Sequence, residues 1–158
     1  MSVILRTLAL PLVALALAAC PSTAQPPAPS TAAAAPAGPR FDVAIDAPAR
    51  GTKGGSGEAR IVVSPRAPWH VNLDYAPKLT ITPTTGVEFD RVEQRADQAA
   101  RFDADGLAFV LPFRMQDKGA KHIAGELHFA MCANDACAPE SVPVDFTVDV
   151  GCDTDTVC

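Results

Sequence analysis

Cys132 and Cys137, in the run Phe129-Ala130-Met131-Cys132-Ala133-Asn134-Asp135-Ala136-Cys137-Ala138-Pro139, are the side chains of this sequence most able to do chemistry. Asn134 and Asp135 are good turn formers. Strands meeting at that turn would bring the two cysteines near the separation a disulfide needs. So short a loop restrains few residues, and closing it adds little stability compared with closing a long one. A bond that stabilises little and sits at an exposed turn is open to exchange with an incoming thiolate. Reactivity needs a lowered thiol pKa, and the local charges are mixed. Asp135 and Glu140 oppose a thiolate, whereas Lys118, Lys121, His122 and His128 favour one if the fold brings them close. On spacing alone, three readings stay open: a structural disulfide, redox exchange and metal binding.

Three further cysteines complete the set of five. Cys20 ends Leu17-Ala18-Ala19-Cys20, where an apolar run from Thr7 stops behind the single positive charge of Arg6. The run is shorter than the about twenty residues of a membrane-spanning helix. With a charged start and small residues at its end it reads as a secretory signal peptide. Its last four residues look like the lipobox of bacterial lipoproteins, in which the cysteine is acylated and becomes the new N-terminus. The expectation is a signal over residues 1–19 and a lipid on Cys20 that holds the protein on a membrane facing the periplasm. In that oxidising compartment the four remaining cysteines read first as disulfides. Three pairings are possible, and short separations favour Cys132 with Cys137 and Cys152 with Cys158. Cys152 and Cys158 lie in a tail, 151–158, where a terminal staple is the preferred reading over a second redox pair or a bridge to another chain.

These cysteines need a scaffold, and the chain divides accordingly. Residues 20–40 carry Pro21, Pro26, Pro27, Pro29, Pro36 and Pro39 among Ala, Ser and Thr, with no charge before Arg40. Nothing large and apolar is present to offset the cost of ordering, so this is a disordered, semi-stiff linker. The body, 41–150, reads as strands. Val43 and Ile45 alternate with polar neighbours, and Ala59 to Val63 is rich in β-branched residues and ends before Pro65. Val71 with Leu73, Leu79 with Ile81, and Val87 with Phe89 suggest three more, and Leu107 to Leu111 suggests a buried one. Ile123, Leu127, Phe129 and Met131 alternate with polar or small residues, as do Val142, Val144, Phe146, Val148 and Val150. Gly51 to Gly57 reads as a loop. Arg91 to Arg101 has helical composition without an apolar face and reads as a surface loop with one helical turn. The total is about seven or eight short strands between Gly/Pro turns, the pattern of an all-β sandwich.

Other chemistries find less support. With 13 basic against 18 acidic side chains the net charge is −5, which argues against nucleic acid as a partner. No phosphate loop, nucleophile elbow, His-Glu-x-x-His motif or paired catalytic carboxylates occur, so no hydrolase or transferase site is expected, and no cofactor. His128, Met131, Cys132 and Met115 are soft copper ligands, but alternation sends Met131 to the opposite face from His128 and Cys132. Cysteine spacings of this kind depart from zinc knuckles. Asp153 and Asp155 lack the glycine and distal glutamate of a calcium loop. No metal is expected. His70 and Trp69 are expected to start a strand near one end of the sandwich.

The stretch from Trp69 to Val150 also resembles a known family, the periplasmic N-terminal domain of the thiol:disulfide interchange protein DsbD. The residues that carry the likeness are His70-Val71-Asn72-Leu73 leading into Lys78-Leu79-Thr80-Ile81-Thr82-Pro83, then Val110-Leu111-Pro112-Phe113. Gly125-Glu126-Leu127-His128-Phe129 follows, entering the cysteine hairpin, and Pro139 and a last alternating strand complete it. The resemblance implies an immunoglobulin-like sandwich in which Cys132 and Cys137 cycle between dithiol and disulfide. It implies a periplasmic thioredoxin-like oxidoreductase as partner, the electron donor here being a separate protein. It also implies a cap loop over the pair, for which Asp97 to Phe102 offers Phe102 as the aromatic. The alternative is a binding or structural lipoprotein whose cysteines are static bridges.

Overall fold

The computed structural model describes residues 38–134 and 136–151. The expected signal, Cys20, most of the linker, Asp135, Cys152 and Cys158 lie outside the described residues. Within them run β1 (Phe41–Asp46), β2 (Arg50–Thr52), β3 (Ser56–Pro65), β4 (His70–Val71), β5 (Lys78–Ile81) and β6 (Val87–Phe89). There follow β7 (Glu93–Arg95), a single 3-10 turn (Ala96–Gln98), β8 (Arg101–Asp103), β9 (Gly106–Met115), β10 (Gly119–Ala133) and β11 (Ala136–Gly151). One sheet has the order β1-β3-β9-β6, with β8 also on β9; the other runs β2-β11-β10-β5-β7, with β4 also on β10. Every pairing is antiparallel except that of β2 with β11. This is an all-β, immunoglobulin-like sandwich, with the first, third and ninth strands in one layer and the two long C-terminal strands in the other.

Alternation decides what fills the space between the sheets. Ala59, Ile61 and Val63 from β3, Leu107, Phe109 and Leu111 from β9, and Ile123, Leu127, Phe129 and Met131 from β10 are fully buried. Burying each of the larger ones contributes about 1.5–3 kcal/mol. The intervening residues of β10 point out of the sandwich.

The structure corrects several sequence expectations. Among the described residues eleven strands replace the expected seven or eight, because β2, β7 and β8 are three-residue pieces too short to show a period. The glycine stretch is not all loop. Gly51 belongs to β2 and Gly57 to β3. A Cβ on Gly51 would run into the Met115 sulfur, and one on Gly57 would lie 2.7 Å from the Phe113 ring. These glycines are present for close packing, which composition alone cannot separate from a flexible turn. β3 runs through Pro65 as its last residue, and Leu73 lies in a turn after β4, exposed.

The stretch Arg91 to Arg101 contains β7 as well as the helical turn. The middle residue of β7, Gln94, is the buried polar residue of the described core, 3 % exposed. One edge of β9 is covered by β8 at Gly106 to Ala108 and by β6 at Phe113 to Met115. In the interval between them, the Gln94 side-chain amide donates to the Val110 carbonyl at 3.0 Å. The amide thus ties the two sheets together. Gln94→Leu leaves that carbonyl without its donor in a dry place and is expected to cost about 1–3 kcal/mol. Urea unfolding checks this as a lower midpoint with an unchanged slope.

β10 and β11 form one long hairpin, in continuous register from Gly119↔Val150 to Ala133↔Ala136. That register leaves positions 134 and 135 as the whole loop. Asn134 has φ 51°, the left-handed conformation that two-residue hairpin turns require and that Asn tolerates. Among the described residues nothing pairs with the outer edge of β11 between Ala136 and Val148; β2 joins only at Asp149 to Gly151. Pro139 and Pro143 lie on this open stretch.

Candidate functional site

The hairpin end carries the site. Cys132 and Cys137 are directly opposed across β10 and β11 and are joined by a disulfide, with Cα atoms 4.1 Å apart. So close an approach belongs to the pairs of an antiparallel ladder whose backbone groups point away from each other. The register therefore builds the bridge. The two residues differ in exposure: Cys132 is 7 % exposed, whereas Cys137 is exposed.

Both cysteines project from the outer face of the sheet. Their neighbours Met131 and Ala133 are fully buried on the inner face, so Met131 lies opposite Cys132, as alternation requires. On the far side of Cys132 from Cys137 lies His70, its register partner in β4. His70 is exposed and Val71 is 1 % exposed, which puts His70 on the outer face too. Three chemically active residues thus form a row across three strands: His70, Cys132, Cys137. Sequence reasoning placed His70 at a strand start without linking it to the cysteines. No local spacing signals a partner so distant in the chain.

The charges expected to matter fall elsewhere. His128 lies four positions along β10, roughly 13 Å away, and His122 and Lys121 are farther still. Glu140 faces the inner side of the hairpin, where it forms an ion pair with Arg40, whose guanidinium lies 5.0 Å from the centre of the Trp69 ring. Its charge is thereby paired and turned away from the sulfurs. Asp135 lies outside the described residues. Phe102 packs against the core.

Along the same outer face, a shallow groove runs between Lys78, Thr80, Glu126, His128, Ser141 and Pro143. Ser141 hydrogen-bonds Glu126 through one carboxylate oxygen, and the other lies 3.2 Å from His128 Nε2. The Ser141 hydroxyl is the main reason the Glu126 carboxyl is held below the usual carboxylate range. Desolvation opposes that lowering, and His128 and Lys78 reinforce it. A lowered carboxyl favours the fold above its unfolded pKa and loses that contribution as pH falls through the folded value. A carboxylate, not an imidazole, sits in the middle of the trio, so the serine has no base to take its proton. Among the described residues no three His, Cys, Asp or Glu side chains are grouped to hold a metal ion.

Comparison with family models and with curated proteins found no match. Among solved structures, a cohesin module from a Clostridium perfringens family 33 glycoside hydrolase aligns with TM-score 0.44 at 9% identity, over 71% of this chain and 98% of that one. AggA, the major subunit of aggregative adherence fimbriae type I from Escherichia coli, aligns with TM-score 0.41 at 7% identity, over 70% of this chain and 94% of that one.

Proposed function

We propose that this chain is a thiol–disulfide exchange domain, carried on a lipid-anchored periplasmic lipoprotein, that passes electrons between thioredoxin-like oxidoreductases and Cys132–Cys137. The observation that carries the reading is the asymmetry of the bond. Cys137 is exposed and Cys132 is nearly buried, so an incoming thiolate has one sulfur to attack and one to displace. The bond closes a loop with a sequence separation of only 5, which makes it a small contributor to stability and inexpensive to open. Leu73 and Tyr75, two large apolar side chains exposed to solvent, stand on the loop leaving β4, whose Asn72 amide bonds the Ala130 carbonyl two residues from Cys132. They offer an apolar contact for a partner beside the sulfurs. The lipid on Cys20 would keep the domain at the membrane surface.

The test is the reduction potential of the pair, read by equilibrating the full chain in thiol buffers. A value above about −250 mV is expected, whereas one well below about −300 mV would mark a static bridge and end the exchange reading. A second reading, the structural lipoprotein, is favoured by one observation: Phe102, the aromatic that a cap over the cysteines would use, is packed against the core.

A further inference from the structure

The exchange step has a leaving group, and the fold puts a histidine next to it. Resting on the exchange reading, we propose that His70 stabilises the Cys132 sulfur when the bond opens and supplies its proton. Directly opposed residues on adjacent antiparallel strands hold their Cβ atoms about 4.5–5.5 Å apart, and His70 and Cys132 are such a pair, both on the outer face. The imidazole therefore flanks Cys132 on the side away from Cys137, clear of an attacking thiol. The other two histidines are engaged: His122 with Asp145 at 2.8 Å and His128 with Glu126 at 3.2 Å. Among the described residues His70 has no such carboxylate partner.

A thiolate of the incoming dithiol forms a bond to the Cys137 sulfur. The Cys132–Cys137 bond breaks, and its electron pair leaves on the Cys132 sulfur. The imidazolium of His70 holds that thiolate as an ion pair, and passing its proton to the sulfur then gives a thiol and a neutral ring. The second thiol of the incoming protein gives its proton to solvent and attacks the first incoming sulfur; the bond to Cys137 breaks with its electron pair leaving on the Cys137 sulfur, which takes up a proton, so the dithiol is oxidised and the pair reduced by two electrons. Histidine suits this work because its charge changes between about pH 5 and 8, and a neighbouring cation favours the thiolate.

The other groups around the row are few. On the far side of β4, the Val71 amide bonds the Ala104 carbonyl, which brings up the turn with Asp103 and Asp105; Asp103 is paired with Arg101. Asp74 and Tyr75 follow β4 in the next loop, and His128 with its Glu126 lies farther down β10. On the outer face of β11, Pro139, Ser141 and Pro143 separate Cys137 from the next charged residue, Asp145.

The test uses the full chain with Cys137→Ser, so that the pair cannot close, and follows alkylation of Cys132 by iodoacetamide through mass analysis of its peptide. At pH 6.5, His70→Gln is expected to slow the reaction roughly threefold to tenfold, and His70→Lys to restore most of the rate. Near pH 9.5 the three proteins should react alike, because the thiol ionises without help. Equal rates at pH 6.5 overturn the inference. Reduction of the oxidised wild-type chain by dithiothreitol separates this outcome from failure of the exchange reading. A bond that opens readily beside equal alkylation rates sinks the role of His70 alone. A bond that stays closed sinks the exchange reading, and with it the proposed step.

Discussion

A Cys132→Ser variant is expected to accumulate a covalent complex with a thioredoxin-like oxidoreductase whose resolving cysteine has been replaced, and a Cys137→Ser variant roughly tenfold less. The reason is access. Removing Cys132 leaves Cys137, an exposed residue, whereas removing Cys137 leaves Cys132, a residue only 7 % exposed. Attack along the sulfur–sulfur axis needs access to the atom attacked, and Cys137 is the exposed residue of the two. Non-reducing gels of the two variants, with the complex mapped to its cysteine by mass, measure the ratio. Equal yields would mean that both sulfurs are reached, and the asymmetry on which the exchange reading rests would lose its meaning.

The second large effect is on stability. Phe129→Ala should cost about 3–5 kcal/mol, through lost burial and the cavity left behind. Phe129 is fully buried, its ring meeting that of Phe41 edge-on at 5.0 Å, and it stands on β10 three residues before Cys132. Such a loss is a large share of the about 5–15 kcal/mol that holds a domain of this size together. Opening the disulfide should cost less, since the chain-entropy model gives about 2 kcal/mol for so short a loop. Urea unfolding of the wild type, of Phe129→Ala and of the reduced wild type would order the three. A reduced protein as weak as Phe129→Ala would show that the bridge is structural.

What was legible in the sequence follows from how far each signal reaches. Val142 to Val150 and Ile123 to Met131 alternate over enough residues to show period two, and they are the two long strands of the hairpin. The cysteine bridge was legible because Asn134 and Asp135 specify the turn locally. Gln94 and His70 were not, since their meaning lies in partners elsewhere in the chain. Gln94 reads as a polar loop residue until β9 is seen to leave a carbonyl open. His70 reads as a strand opener until the register of β4 on β10 sets it beside Cys132. Gly51 and Gly57 misled for the converse reason, because close packing against Met115 and Phe113 looks like flexibility when only composition is available.

The two prolines on the open rim of β11 bear on how this molecule can be approached. The close spacing at Cys137 sets the phase of the ladder, and the Asp149 amide bonding outward to the Ala49 carbonyl keeps it. Residues 137, 139, 141 and 143 accordingly aim their main-chain groups at solvent, and two of those four positions, Pro139 and Pro143, have no hydrogen to give. An extra strand laid along residues 137 to 143 would therefore miss half of the donors it needs, which disfavours both a visiting strand and rim-to-rim pairing of two copies. On that stretch side chains, more than main-chain bonds, would have to supply the grip in any encounter, a hold suited to clean departure.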